Sequence, residues 1–85
     1  MSDIFENNLH NSRFEYHTGG SFAFADYRIV DGILYIDYVE APHALRGTGA
    51  ASRLMEHIVD YARQNGMNIH PICGYAATWL QRHGA

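Results

Sequence analysis

The sequence predicts an α/β (α+β) domain in which a small mixed sheet is built in the order β-β-β-α-β-α. The first observation is Asp31-Gly32, a two-residue hairpin signal between two β-like segments. The second is a stripe of apolar residues at helical spacing after residue 50, followed by a short strand and a short helix. Because hairpins give antiparallel pairs and a strand-helix-strand crossover gives a parallel pair, the sheet should be mixed.

The strands are predicted from alternation and turn residues. From Arg13 the pattern is β-like, because Phe14 and Tyr16 alternate with Arg13, Glu15 and His17. A turn at residues 18–20 should lead into a second strand over residues 21–30.

The third strand, over residues 33–39, starts apolar on both faces, as a central strand should. Residues 1–12 are polar and aperiodic, so we expect a loose lead-in or an edge strand there. A single domain should then occupy residues 13–85.

The first helix should follow the glycines at residues 47–49 and end at Asn65-Gly66. Its apolar stripe consists of Leu54, Met55, Ile58, Val59 and Ala62. Residues 67–72 form a short strand candidate, in which Pro71 indicates either pairing that fails midway or an edge strand. A second short helix is predicted over residues 75–82.

Composition narrows the classes of function. The net charge is −3 and the six cations are scattered arginines, so no basic face exists for a nucleic-acid partner. No apolar run approaches the roughly 18 to 20 residues that span a bilayer, so we expect no membrane partner. The N-terminus lacks the pattern of a signal peptide and the single cysteine excludes an internal disulfide, which favours a cytoplasmic protein. The six histidines show no zinc-ligand spacing, so we expect no metal site.

A glycine-rich loop precedes the first predicted helix. A helix N-terminus offers unpaired N–H groups and the positive end of the helix dipole, and small residues let a phosphate approach them. The loop runs Arg46-Gly47-Thr48-Gly49-Ala50-Ala51-Ser52. It lacks the lysine of a P-loop and the third glycine of a Rossmann motif. On spacing alone, a plain glycine-rich loop is the alternative.

The context of this loop resembles a known family. Arg46-x-x-Gly49-x-Ala51, after a strand and opening a helix, is similar to the Arg/Gln-x-x-Gly-x-Gly/Ala acyl-CoA signature of the GNAT acetyltransferase superfamily. Residues 40–54, 60–66 and 71–77 resemble, in order, the minimal stand-alone branch of that superfamily. The Arg13-Phe14-Glu15 run, the Asp31-Gly32 hairpin and Arg82-His83 fit as well, so the resemblance covers nearly the whole chain.

The resemblance implies acetyl-CoA as a co-substrate. Its pyrophosphate would sit on the backbone N–H groups of residues 47–52, and its pantetheine arm in a groove between the strands at residues 33–39 and 68–72, which splay apart in this fold. The residues that would bind it are Arg46, Gly47, Thr48, Gly49, Ala50, Ala51 and Ser52. The chain departs from that branch at Tyr38-Val39, usually a His-Thr pair, and at Gly74, often proline, so a histidine-based mechanism is not implied.

Three residues are candidates for the chemistry of acetyl transfer, which needs a neutral amine and a protonated leaving thiolate. Glu40, at the end of the central strand, is the candidate base, or else an exposed carboxylate. Tyr75 stands where many GNAT enzymes carry a tyrosine acid, or else it is a packed aromatic. Cys73 is a small buried hydrophobe, an acyl-cysteine nucleophile, or a non-covalent neighbour of the thioester.

The resemblance implies an N-acetyltransferase that moves an acetyl group from acetyl-CoA to an unidentified amine. The acceptor would be a small amine or a flexible peptide. The alternative is a non-catalytic acyl-CoA-binding or protein-interaction module on the same fold, because little chain remains to build an acceptor pocket.

Overall fold

The computed structural model of the protein describes residues 3–83, so residues 1, 2, 84 and 85 of the predicted lead-in and domain lie outside the described part. The strands are β1 (Ile4–Asn8), β2 (Arg13–Thr18), β3 (Ser21–Val30), β4 (Ile33–Glu40) and β5 (Asn68–Pro71). The helices are α1 (Ala50–Gln64) and α2 (Gly74–Arg82), with short 3-10 turns at Leu9–Asn11 and His43–Leu45. The predicted α/β fold is confirmed, and the first segment adds the edge strand β1.

The sheet is mixed, with its five strands side by side in chain order. All pairs are antiparallel except β4 with β5, which are parallel because α1 connects them. Gly19-Gly20 forms the turn between β2 and β3, and Asp31-Gly32 forms the turn between β3 and β4. All four residues have positive φ. Positive φ at both turn positions is the geometry of a type I′ turn, which matches the twist of the strands it joins.

Both helices contribute to one hydrophobic cluster on one face of the sheet. The predicted stripe of α1 is buried in full: Leu54, Met55, Ile58, Val59 and Ala62. On the sheet, Phe14 stacks on Tyr27 at 4.3 Å between ring centroids. We call the opposite side of the sheet the open face, because no helix covers it within the described residues. None of the described helices is long and apolar enough to cross a membrane.

The alternation predicted in β2 is confirmed, and Glu15 is buried on the open face. Its side chain points to the open face, as its place between Phe14 and Tyr16 requires, yet the residue is only 7% exposed. Its carboxylate accepts hydrogen bonds from Asn8 Nδ2 at 3.1 Å and, at 2.8 Å, from the ring of His17. The side chains of neighbouring strands cover this position, which alternation along one strand does not reveal.

Candidate functional site

The glycine loop adopts a conformation that requires its glycines. Gly47 has φ +79° and Gly49 has φ +85°, a left-handed region that residues with a Cβ rarely adopt. Gly49 is also the N-cap of α1. A Cβ placed on either glycine would meet no atom within 4 Å, so the space beside the loop is open.

The backbone N–H groups of the loop fall into two sets. Thr48 N–H donates to the carbonyl of Leu45 at 3.2 Å, and Ala50 N–H to the hydroxyl of Thr48 at 3.3 Å. The other N–H groups have no acceptor among the described residues: those of Gly47, Gly49, Ala51 and Ser52. The start of α1 thus keeps four free donors at the positive end of its dipole.

The side chains of Arg46 and Ser52 have different partners. Arg46 is exposed, donates from Nε to the carbonyl of Ala41 at 3.4 Å, and forms no ion pair with any carboxylate of the described chain. Its charge is therefore available at the rim of the loop. The hydroxyl of Ser52 accepts a hydrogen bond from Trp79 Nε1 at 2.8 Å and so ties α1 to α2.

Strand β4 loses its partner β5 halfway along. Their parallel pairing ends at Ile36 and Pro71, after which the N–H groups of Ile72 and Cys73 both donate to the carbonyl of Ile36, at 2.9 and 3.1 Å. Both expectations for Pro71 hold, since β5 is an edge strand and its pairing stops there. Residues 37–40 of β4 are left paired with β3 alone.

A cavity of about 480 Å³, which we call the cleft, opens where the two strands part. It brings together most of the residues that the sequence singled out. Its lining consists of Tyr38, Val39, Glu40, Ala41, Leu45, Arg46, Gly47, Gly49, Ala50, Ala51, Ser52 and Tyr75. Two of the predicted site residues, Thr48 and Cys73, are not part of that lining.

Tyr75, in the first turn of α2, reaches the cleft with 42% of its surface exposed. Burial of the rest is the main reason that the pKa of its hydroxyl is raised, with a further contribution from Cys73. The hydroxyl is therefore protonated at neutral pH and can donate a proton.

Cys73 is the N-cap of α2 and is partly buried. It packs against the hydrophobic cluster, and its N–H is held by the carbonyl of Ile36. Cys73 also contributes to raising the pKa of both Tyr38 and Tyr75, after the larger effects on each.

Tyr38 is a site residue that the sequence reasoning missed. Its hydroxyl donates a hydrogen bond to Glu40 Oε1 inside the cleft, and this bond is the main reason that the pKa of Tyr38 is raised. The signal was present, since Tyr38 and Glu40 are two residues apart on a strand and share a face. In the sequence, Tyr38 stands out only as a departure from the His-Thr pair of the resembling branch.

One cluster of possible metal ligands lies outside the cleft. Atoms of Glu6, Glu15 and His17 lie within 4.8 Å of one another on β1 and β2. Cross-strand pairing of Glu6 with Glu15 brings them together, which their spacing in the sequence does not show. The Glu15 carboxylate already accepts hydrogen bonds from Asn8 and His17. The absence of a metal site stays a prediction.

Comparison with known proteins identifies the family. Residues 13–85 match the family model described as GCN5-related N-acetyl-transferase. No curated protein matches the chain. The match spans β2 to α2, including the glycine loop and every residue that lines the cleft. The chain therefore belongs to the GCN5-related N-acetyltransferase family.

Proposed function

We propose that the protein binds acetyl-CoA in the cleft and transfers its acetyl group to a primary amine. The observation that carries this proposal is the lining of the cleft. One cavity brings together the free N–H groups of a helix N-terminus, an exposed carboxylate at Glu40 and a protonated hydroxyl at Tyr75. The family supports acyl transfer in general, and these residues support the particular reaction.

The loop suits a pyrophosphate. Its free donors at Gly47, Gly49, Ala51 and Ser52 converge on the start of α1, where the helix dipole favours negative charge. Arg46 adds a positive charge that no described carboxylate neutralises. Thr48 acts inside the loop instead, because its hydroxyl and N–H both bond to Leu45. The pantetheine arm would follow residues 37–40 of β4, whose β5 side has no strand partner.

Glu40 and Tyr75 divide the proton transfers between them. Glu40 takes a proton from the incoming ammonium and passes it to water, which its exposure allows. The neutral nitrogen forms a C–N bond to the thioester carbonyl carbon, the C–S bond breaks, and sulfur keeps the electron pair. Tyr75 donates its proton to that thiolate and regains one from water, while Glu40 accepts the second proton that the nitrogen loses.

Direct transfer is favoured over an acyl-cysteine intermediate. The Cys73 thiol packs on the hydrophobic cluster and is not part of the cleft lining, whereas Glu40 and Tyr75 both are. A nucleophile must reach the carbonyl carbon, so a residue beside the cleft fits a supporting role near the sulfur better. We therefore assign Cys73 a non-covalent contact.

The proposed phosphate site can be tested by placing a negative charge beside the free N–H groups of the glycine loop. Ala51 lines the cleft in the first turn of α1, where a carboxylate is compatible with the helix. Ala51→Glu should weaken CoA binding roughly 100-fold by repulsion of the phosphates, as measured by calorimetric titration. Ala51→Gln is the matched control, because it has the same size without the charge, and should lose much less affinity. Equal affinities of wild type and Ala51→Glu would contradict the assignment.

A thiol-release assay on the protein that binds acetyl-CoA distinguishes an enzyme from a binding module. We expect wild-type protein that binds acetyl-CoA to release free thiol when amines are added. Binding without release, for small amines and lysine peptides alike, would favour the non-catalytic acyl-CoA-binding module on this fold.

A further inference from the structure

Glu40 borders a second hollow besides the cleft. A groove of about 300 Å³ lies on the open face, between the β2–β3 turn and the end of β4. Its lining consists of Gly20, Ser21, Phe22, Phe24, Glu40 and Pro42. Glu40 is the one described residue that lines both hollows, so its carboxylate stands between the cleft and this groove.

The groove has a single charged group at one end and aromatic rings along the rest. Phe22 and Phe24 lie 6.1 Å apart between ring centroids, and Tyr38 continues the row at 6.2 Å from Phe24. Aromatic rings bury apolar groups, and their faces attract cations. An ammonium group at Glu40 with an apolar body over the two phenylalanines matches this pattern.

A second positive charge would not fit the groove. The guanidinium of Arg13 lies over the ring of Phe24 at 4.3 Å and is held by Asp26 at 3.2 Å. Arg13 thus already covers the face of Phe24 and is paired with Asp26, so neither that face nor that carboxylate is left for a second ammonium. The lining offers no carboxylate other than Glu40. A molecule with one ammonium is therefore favoured over a polyamine.

The main chain around the groove offers little to a peptide. Phe24 pairs with Glu40 in the β3–β4 ladder, so the backbone here is engaged within the sheet. The free edges of the described sheet are those of β1 and β5, which do not line the groove, and the β5 side of residues 37–40 of β4, which faces the cleft. The pantetheine arm is proposed to lie along that last edge, so none is left in the groove for a peptide to bind by strand addition.

We propose that this groove binds the amine acceptor and that the acceptor is a small primary monoamine with an uncharged apolar body. The inference rests on the proposed acetyl transfer, since Glu40 would accept the proton of the ammonium on the groove side and face the thioester on the cleft side. It names a substrate class, which neither the family nor the glycine loop specifies.

The first test compares acceptors that differ in one feature. Pentylamine and 1,5-diaminopentane have the same chain, and only the second carries another ammonium. We expect kcat/KM, followed by thiol release from acetyl-CoA, to be roughly tenfold higher for pentylamine. Nα-acetyl-lysine methylamide, which has the same alkyl amine on a peptide unit, should also be poorer. Higher activity with the diamine or the lysine derivative, or no release with pentylamine by protein that binds acetyl-CoA, would overturn the inference.

The second test changes the wall of the groove. Phe22→Ala should raise the KM for pentylamine roughly tenfold and leave the affinity for acetyl-CoA unchanged, because Phe22 is not part of the cleft. Phe22→Tyr keeps the ring and should restore the KM. Ile29→Ala, an exposed apolar residue on the same strand, is the control for general effects and should behave as wild type.

The outcomes separate this inference from the proposed function. Failure of the wild-type protein to bind acetyl-CoA would overturn the proposed function and the acceptor role with it. Normal acetyl-CoA binding and amine turnover with an unchanged KM in a folded Phe22→Ala would overturn only the assignment of the groove. A circular dichroism spectrum and a denaturant midpoint for each variant establish that it is folded.

Discussion

The two halves of β4 have the same extended backbone but differ in strand pairing and in burial. Residues 33–36 have a partner strand on both sides, and Leu34 and Ile36 are completely buried under the helices. Residues 37–40 are paired with β3 alone, Tyr38 is 48% exposed, and Glu40 is exposed in the cleft. One half builds the core and the other builds the candidate site.

The change between the halves has two structural causes. The β3–β4 register shifts so that Tyr27 faces Ile36 but Asp26 faces Tyr38, which leaves Asp37 as an extra residue in β4. Such a bulge changes the direction of the side chains that follow it. On the other side, Pro71 ends β5 and the chain turns into α2. A single strand can therefore contribute to the core along one half and to the candidate site along the other, where its pairing on one side stops.

The largest expected effect is on activity in the unpaired half. Glu40→Gln should lower turnover by roughly 10²- to 10⁴-fold, about 3–5 kcal/mol in barrier height, since the amide cannot accept the proton. Its stability should stay within about 0.5 kcal/mol of wild type, because Glu40 is exposed. Thiol-release kinetics and urea denaturation give the two measurements. A loss of stability comparable to the loss of activity would make Glu40 a structural residue.

The next effect is on stability in the paired half. Ile36→Ala should cost about 2–5 kcal/mol of unfolding free energy, because Ile36 is fully buried. Ile36→Val is the graded control and should cost about 0.5–1.5 kcal/mol. Urea denaturation measures both. An Ile36→Ala midpoint equal to that of wild type would mean that this half of β4 is not part of the core.

A smaller effect tests the open face away from β4. Burial alone would raise the pKa of Glu15, but hydrogen bonds from Asn8 and His17, together with the charges of His17 and Arg13, lower it below its ordinary value. A lowered pKa means that the carboxylate stabilises the fold above that value and that this contribution is lost as pH falls.

Glu15→Gln should therefore lower stability by about 1 kcal/mol at pH 7 and by much less at pH 3. Urea midpoints of wild type and variant at the two pH values check this. An equal difference at both would show that the contribution of Glu15 does not depend on its charge.

Local chemistry was enough to predict most of the fold. The β2–β3 and β3–β4 hairpins are predicted from turn residues that accept positive φ. Helix α1 is predicted from a stripe of apolar residues that lies between the glycine loop and Asn65-Gly66. The glycine loop could also be located, because Gly47 and Gly49 are required by the backbone itself. Each of these features depends on neighbours within a few positions of the chain.

Other features could not be read from spacing along the chain. The burial of Glu15, the strand at residues 4–8 and the cluster with His17 depend on which residues face each other across strands. The sequence placed Glu40 at the end of a strand, but its bond to Tyr38 and its position between two hollows depend on the bulge and on the end of β5.

The sequence by itself determined the α/β fold class, the order of the later elements and the resemblance to the acetyltransferases, because turn, helix and loop signals are local. Only the tertiary structure decided which N–H groups of the loop stay free, which candidates share the cleft and where Cys73 lies relative to it. The physical reason is that hydrogen-bond partners and burial are set by contacts between distant segments, such as Trp79 with Ser52 and Ile36 with Cys73.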